Sequence, residues 1–95
     1  MFKNTYSYLL LITIFLGCTR GEQVNQIIPL YEGLSVYQRK VSTESAEAQK
    51  YFSQGLTLYY GFNHEAAIKS FRQVLEYDSN CAMAWWGQAI SAGPN

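Results

Sequence analysis

Ninety-five residues allow one small domain at most. Seven Lys and Arg balance seven Asp and Glu, so the chain has neither the basic face that nucleic acid requires nor a field that recruits anionic lipid. Eight Tyr, five Phe and two Trp make a heavy aromatic load, which calls for burial or a partner.

Residues 1–17 read as a targeting segment rather than as part of a fold. Lys3 charges a short polar start, and residues 8–16 form an apolar run too short for a membrane span of about 20 residues. The run stops at Phe15-Leu16-Gly17-Cys18, which resembles the lipobox of bacterial lipoproteins. That resemblance implies cleavage before Cys18, lipid on its thiol and an acylated α-amino group, so that more than one chain anchors the protein. The alternative is an ordinary secretory signal with an incidental cysteine. Thr19 follows, and no Asp stands there to suggest inner-membrane retention. The expected address is the cell envelope, at the outer membrane if the cell is Gram-negative.

Residues 18–41 are expected to be a tether and an extended or irregular arm. Residues 19–26 are polar, with little to bury. In residues 27–41, Pro29 and Gly33 break helices. Ile27, Ile28, Leu30, Tyr31, Leu34, Val36 and Tyr37 nevertheless ask for burial against something. A short turn over residues 30–33 fits this stretch.

Residues 42–95 are predicted to be helical. Ser42 or Thr43 is the expected cap of the first helix, with Glu44 and Glu47 in its first turn. Ala48, Tyr51, Phe52, Gly55, Leu58, Tyr59 and Phe62 recur at spacings of three and four, the helical period. Gly61 is the expected stop. Asn63 can cap a second helix with Ala67, Ile68, Phe71, Val74 and Leu75 as its apolar face, and Glu65 and Lys69 as an i, i+4 pair. Asp78-Ser79-Asn80 makes a turn, Asn80 can cap a third helix over residues 81–91, and Gly93-Pro94 ends it.

These residues resemble the tetratricopeptide repeat. Tyr51, Gly55, Ala67 and Phe71 stand where its W-x2-L-G-x2-Y and A-x3-F elements fall, and Trp85 and Ala89 repeat Tyr51 and Gly55 after one 34-residue period. Residues 48–71, 78–87 and 89–95 look more specifically like the front of a family of bacterial tetratricopeptide-repeat proteins, many of them exported. The departures from the general pattern are Gln54 for Leu, Leu58 for Tyr, Phe62 for Gly and Ser79 for Pro. The resemblance implies an all-α fold, an antiparallel helix pair plus the first helix of a second repeat. It also implies further repeats after Asn95, and supplies no reaction.

In such repeats the first helices line a ligand surface. Here it receives Gln49, Phe52, Leu56, Tyr59 and Tyr60, then Met83, Trp86 and Ile90. An apolar or aromatic-rich segment is the ligand this lining suits; the alternative is that these side chains are core, covered by the arm or by missing repeats. Tyr51, Gly55, Ala67, Phe71, Trp85 and Ala89 are expected to pack repeat against repeat. His64, Cys81 and Met83 match no tight metal motif, and catalysis by Cys81 would need a base such as His64 and an orienting group in reach, which nothing in the sequence demands. The expectation is therefore a protein-interaction segment of an exported, lipid-anchored protein, with no enzyme activity, no cofactor and no metal. The half repeat at its end further suggests self-association through the third helix. The rival is a non-autonomous front end of a longer multi-repeat protein whose activity lies downstream.

Overall fold

A computed structural model describes residues 23–93; the targeting segment, Cys18 and the start of the tether lie outside the described residues. The fold is all-α. Among the described residues the helices are α1 (Ala46–Tyr60), α2 (His64–Tyr77) and α3 (Ala82–Ala92). Tyr51 near the start of α1 stacks on Tyr77 at the end of α2, at 5.7 Å. Tyr59 near the end of α1 meets His64 at the start of α2. The two helices are therefore antiparallel. The third packs along α2 and touches α1 only briefly.

Local chemistry accounts for most of the helix ends. Ser45, rather than Ser42 or Thr43, caps α1: its Oγ accepts the Ala48 N–H at 3.1 Å, as an N-cap hydroxyl does. Thr43 is committed elsewhere. Its hydroxyl donates to Asp78 Oδ2 at 2.6 Å and accepts the Ser45 N–H, tying the entry of α1 to the exit of α2. Glu44 consequently precedes the helix, and Glu47 alone is acidic in the first turn. Asn63 caps α2 as expected, with Oδ1 accepting the Ala66 N–H. Asn80 does not cap α3. Cys81 occupies that position without a side-chain bond, while the Asn80 N–H donates to Asp78 Oδ1 in a turn closed by the aspartate.

The stop after α1 also differs from expectation. Gly61 has an ordinary φ of −82°, and the left-handed residue is Phe62, at φ 64°. The Asn63 N–H reaches the Leu58 carbonyl and the Phe62 N–H reaches that of Tyr59. This is the Schellman pairing that normally puts glycine in the left-handed place.

Phe71 is the centre of the core. Its side chain is fully buried, tilted against Phe52 with ring centroids 5.4 Å apart. Glycines face it from both sides. A Cβ built on Gly55 of α1 would lie 2.7 Å from the ring, and one on Gly87 of α3 only 2.5 Å. Ala48, Ala67, Val74, Cys81 and Ala84 complete the packing. Small residues at these crossings let three helices converge on one ring.

The arm has no helix or strand, only a turn at Glu32-Gly33. It packs on the helices, but less through its side chains than expected. Ile28 and Val41 are buried, and Ile27 and Leu34 are half-buried. Leu30, Tyr31, Val36 and Tyr37 stay exposed. What holds the arm is its main chain.

Candidate functional site

The ligand surface expected from the sequence is split in two by burial. Phe52 and Leu56 are buried and act as core. Gln49, Tyr59, Met83 and Ile90 are half-buried, and Tyr60 and Trp86 are exposed. Leu56, Tyr60 and Trp86 do come together. With Val36, Tyr37, Gln38 and Arg39 of the arm they line an open pocket of about 400 Å³. Tyr37 leans on Tyr60 at a centroid distance of 4.8 Å, so the arm already lies across part of this surface.

The packing set divides likewise. Tyr51, Gly55, Ala67 and Phe71 are buried, whereas Trp85 is 61% exposed and Ala89 is exposed. Helix α3 turns Ala84, Gly87 and Ser91 towards its neighbours. Trp85 and Ala89 share a stripe of their own, rotated away from that one by the helical period.

Three glutamines clasp the arm: Gln49, expected on the ligand surface, Gln54, noted as a departure from the repeat pattern, and Gln73, which the sequence did not single out. Gln73 on α2 accepts the N–H groups of Ile27 and Ile28 and donates to the Asn25 carbonyl at 2.8 Å. Gln54 on α1 accepts the Tyr31 N–H at 2.7 Å and donates to the Pro29 carbonyl at 3.0 Å. Gln49 accepts the Val41 N–H at 2.9 Å and donates to the Arg39 carbonyl at 2.8 Å. Each side-chain amide thus takes the C=O of one residue and the N–H of the residue two further on. At Gln54 and Gln49 the pairing is the one a parallel strand makes, whereas at Gln73 two successive N–H groups share one oxygen where the chain bends. Gln54 and Gln73 are 1% and 0% exposed, and Ser70 accepts a further bond from Gln54. The signal available was Gln54, a polar residue where the repeat pattern has Leu; buried polar groups require partners.

His64 and Cys81 are not brought together. They stand at opposite ends of α2, a 14-residue helix about 20 Å long at 1.5 Å per residue. His64 lies edge-on to Tyr59 and Phe62, and its buried Nδ1 has no hydrogen-bond partner among the described residues. Cys81 is a buried free thiol. Among the described residues no three His, Cys, Asp or Glu side chains are grouped to hold a metal, and no helix is long and apolar enough to cross a membrane.

Burial raises the ionisation of the Tyr51 phenol above its ordinary value. Neighbouring Tyr77 and Glu47 add to the effect, and a hydrogen bond with Gln26 of the arm opposes it. The phenol therefore stays neutral where the arm crosses it.

No protein-family model matches the chain, and neither a curated protein nor a solved structure matches it.

Proposed function

We propose that this chain is a protein-interaction segment of tetratricopeptide type, exported and held at the cell envelope by lipid on Cys18. The observation that carries the reading is an aromatic surface the core does not use. Tyr37, Tyr60, Trp85 and Trp86 are each 43–61% exposed, and three of them border the pocket between arm and helices. Exposed aromatics grouped in this way suit a partner protein. The antiparallel α1–α2 pair, with Gly55 against Phe71, supports the repeat assignment, and the order Lys3, apolar run, Gly17-Cys18 supports the anchor.

Two measurements test it. Expressed in a bacterium with labelled fatty acid, the protein takes up label and Cys18→Ser loses it; an unlabelled, released wild type refutes the anchor. Sedimentation of residues 19–95 across a concentration series shows association that Trp86→Glu removes. A wild type that stays monomeric at high concentration removes the case for self-association through α3.

Trp85 and Ala89 favour a second reading. They are solvent-facing on α3 at one repeat period from Tyr51 and Gly55. In this reading they pack on a later helix of the same polypeptide, and the activity lies downstream. Reading the coding sequence past Asn95 decides between the two: an open frame with further repeats supports it, and a stop codon excludes it.

A further inference from the structure

We propose that the corner between α1 and α2, led by Phe62, docks on the bilayer that anchors the chain and inserts that side chain at headgroup depth. The proposal rests on the lipid anchor at Cys18, and it leaves the arm in place on its glutamines.

Phe62 breaks two local rules at once. Its backbone holds a left-handed φ of 64°, a place that glycine fills without strain and that the repeat pattern gives to glycine. It is also 84% exposed, more than any other large apolar side chain among the described residues. The core draws little from it: its one ring contact among the described residues is the edge of His64, at 6.5 Å. A phenylalanine kept against both backbone preference and the tendency to burial marks a working surface rather than a packing position.

Shape and charge favour a bilayer over a protein partner. Phe62 projects from a turn, with Gly61 and Asn63 exposed on either side of it. A protein must offer such a ring a fitted pocket, whereas headgroups and upper acyl chains close round it without one. The corner also carries no unpaired acid. Residues 61–64 have no carboxylate, and Glu65 is held by Lys69 at 3.3 Å. Glu44, Glu76 and Asp78 make no ion pair among the described residues. They stand at the opposite end, where α1 begins and α2 finishes. Docking by the corner keeps those carboxylates off an anionic lipid surface.

The tether is long enough to allow it. Gln73 holds the Asn25 carbonyl at 73 − 64 = 9 residues along α2 from its start at the corner, about 14 Å at 1.5 Å per residue. From Cys18 to Asn25 the chain has 25 − 18 = 7 residues, a reach of about 25 Å. Anchor and corner can therefore meet one surface. Burying one phenylalanine shifts a local equilibrium roughly tenfold to a hundredfold. That is too little to recruit a free protein and enough to orient one already tethered.

The test uses the lipidated full-length protein in vesicles of phosphatidylethanolamine and phosphatidylglycerol. With Cys18 acylated and Cys81 buried, the thiol introduced by Glu65→Cys or Glu76→Cys alone takes a fluorescent label. Lipids spin-labelled high in the acyl chain quench what lies near headgroup depth. The label at position 65, a turn from Phe62, is expected to be quenched several-fold more than the label at position 76. Phe62→Gly is expected to abolish that difference while raising the urea midpoint, so that unfolding does not account for the loss. Phe62→Leu, still apolar, keeps most of it. Equal quenching at the two positions, or a difference that survives Phe62→Gly, overturns the proposal. So does a corner that is unquenched in vesicles but crosslinks from position 62 to an envelope protein, which would give Phe62 to a protein pocket. Flotation reads the anchor separately. Protein that does not float with the vesicles removes the anchor and this docking with it, whereas floating protein with equal quenching removes the docking alone.

Discussion

Gly87→Ala is the sharpest test of the core. The added methyl would sit 2.5 Å from Phe71 Cδ1 and 2.6 Å from Cγ, where ordinary contact begins at 3.4 Å. The shortfall is 3.4 − 2.5 = 0.9 Å. The ring has little room to retreat, because the Gly55 backbone packs so closely that it too leaves no space for a Cβ, which would lie 2.7 Å from the ring. Two effects compete. Alanine in a helix interior gains about 1 kcal/mol over glycine. Overpacking a close crossing costs about 1–3 kcal/mol, and with both sides closed the upper half of that range applies. The net expectation is a loss of about 1–2 kcal/mol, or about 4–8 °C of melting midpoint per kcal/mol in a domain this small. Urea and thermal unfolding followed by circular dichroism read it directly. Phe71→Leu placed on Gly87→Ala should recover part of the loss, a coupling of about 0.5–3 kcal/mol between touching residues. Gly61→Ala is the control, since its methyl meets only Thr57 and Leu58 carbonyls at 3.3 and 3.5 Å; it should stay within about 0.5 kcal/mol of wild type. Gly87→Ala as stable as wild type, or more so, would refute the convergence of three helices on Phe71.

Phe62→Gly should stabilise the protein by about 1 kcal/mol, because Phe62 holds a left-handed φ of 64° that costs a side-chain-bearing residue about 1–2 kcal/mol; a lower urea midpoint for the variant would contradict the Schellman reading. Ser45→Ala should cost about 1 kcal/mol of stability and Ser42→Ala almost nothing, and the reverse order would reassign the cap. Alkaline unfolding carries a sign fixed by Tyr51. Its folded-state ionisation is raised above the ordinary phenol value of 10.0, so the unfolded chain gives up this proton first. Its contribution is fully present below that value and is lost as the pH climbs through the raised one. Tyr51→Phe should therefore show a shallower fall of stability above pH 10 than wild type, and parallel curves would show that burial does not govern this phenol.

The sequence by itself determined the all-α character and the three helices of the described residues. Those rest on spacings of three and four, on Asn63 before an apolar run and on Gly93 after one, and each is a matter of neighbours along the chain. Tertiary structure decided the remainder. The arm was legible as irregular, but its apolar letters suggested burial of side chains where the structure holds its main chain. Gln73 pairs with residues 45 to 48 positions earlier, and no local rule selects a partner so distant. Thr43 lost its expected place as a cap because Asp78, 35 positions away, took its hydroxyl. Glycine-based punctuation put the stop at Gly61, yet the backbone assigned the left-handed turn to Phe62, where the Schellman bonds to Leu58 and Tyr59 close the helix. The 34-residue spacing marked Trp85 and Ala89 for packing, while α3 presents Gly87 instead. Which stripe of a helix is buried depends on the neighbour it meets, and periodicity alone supplies the stripe without the neighbour.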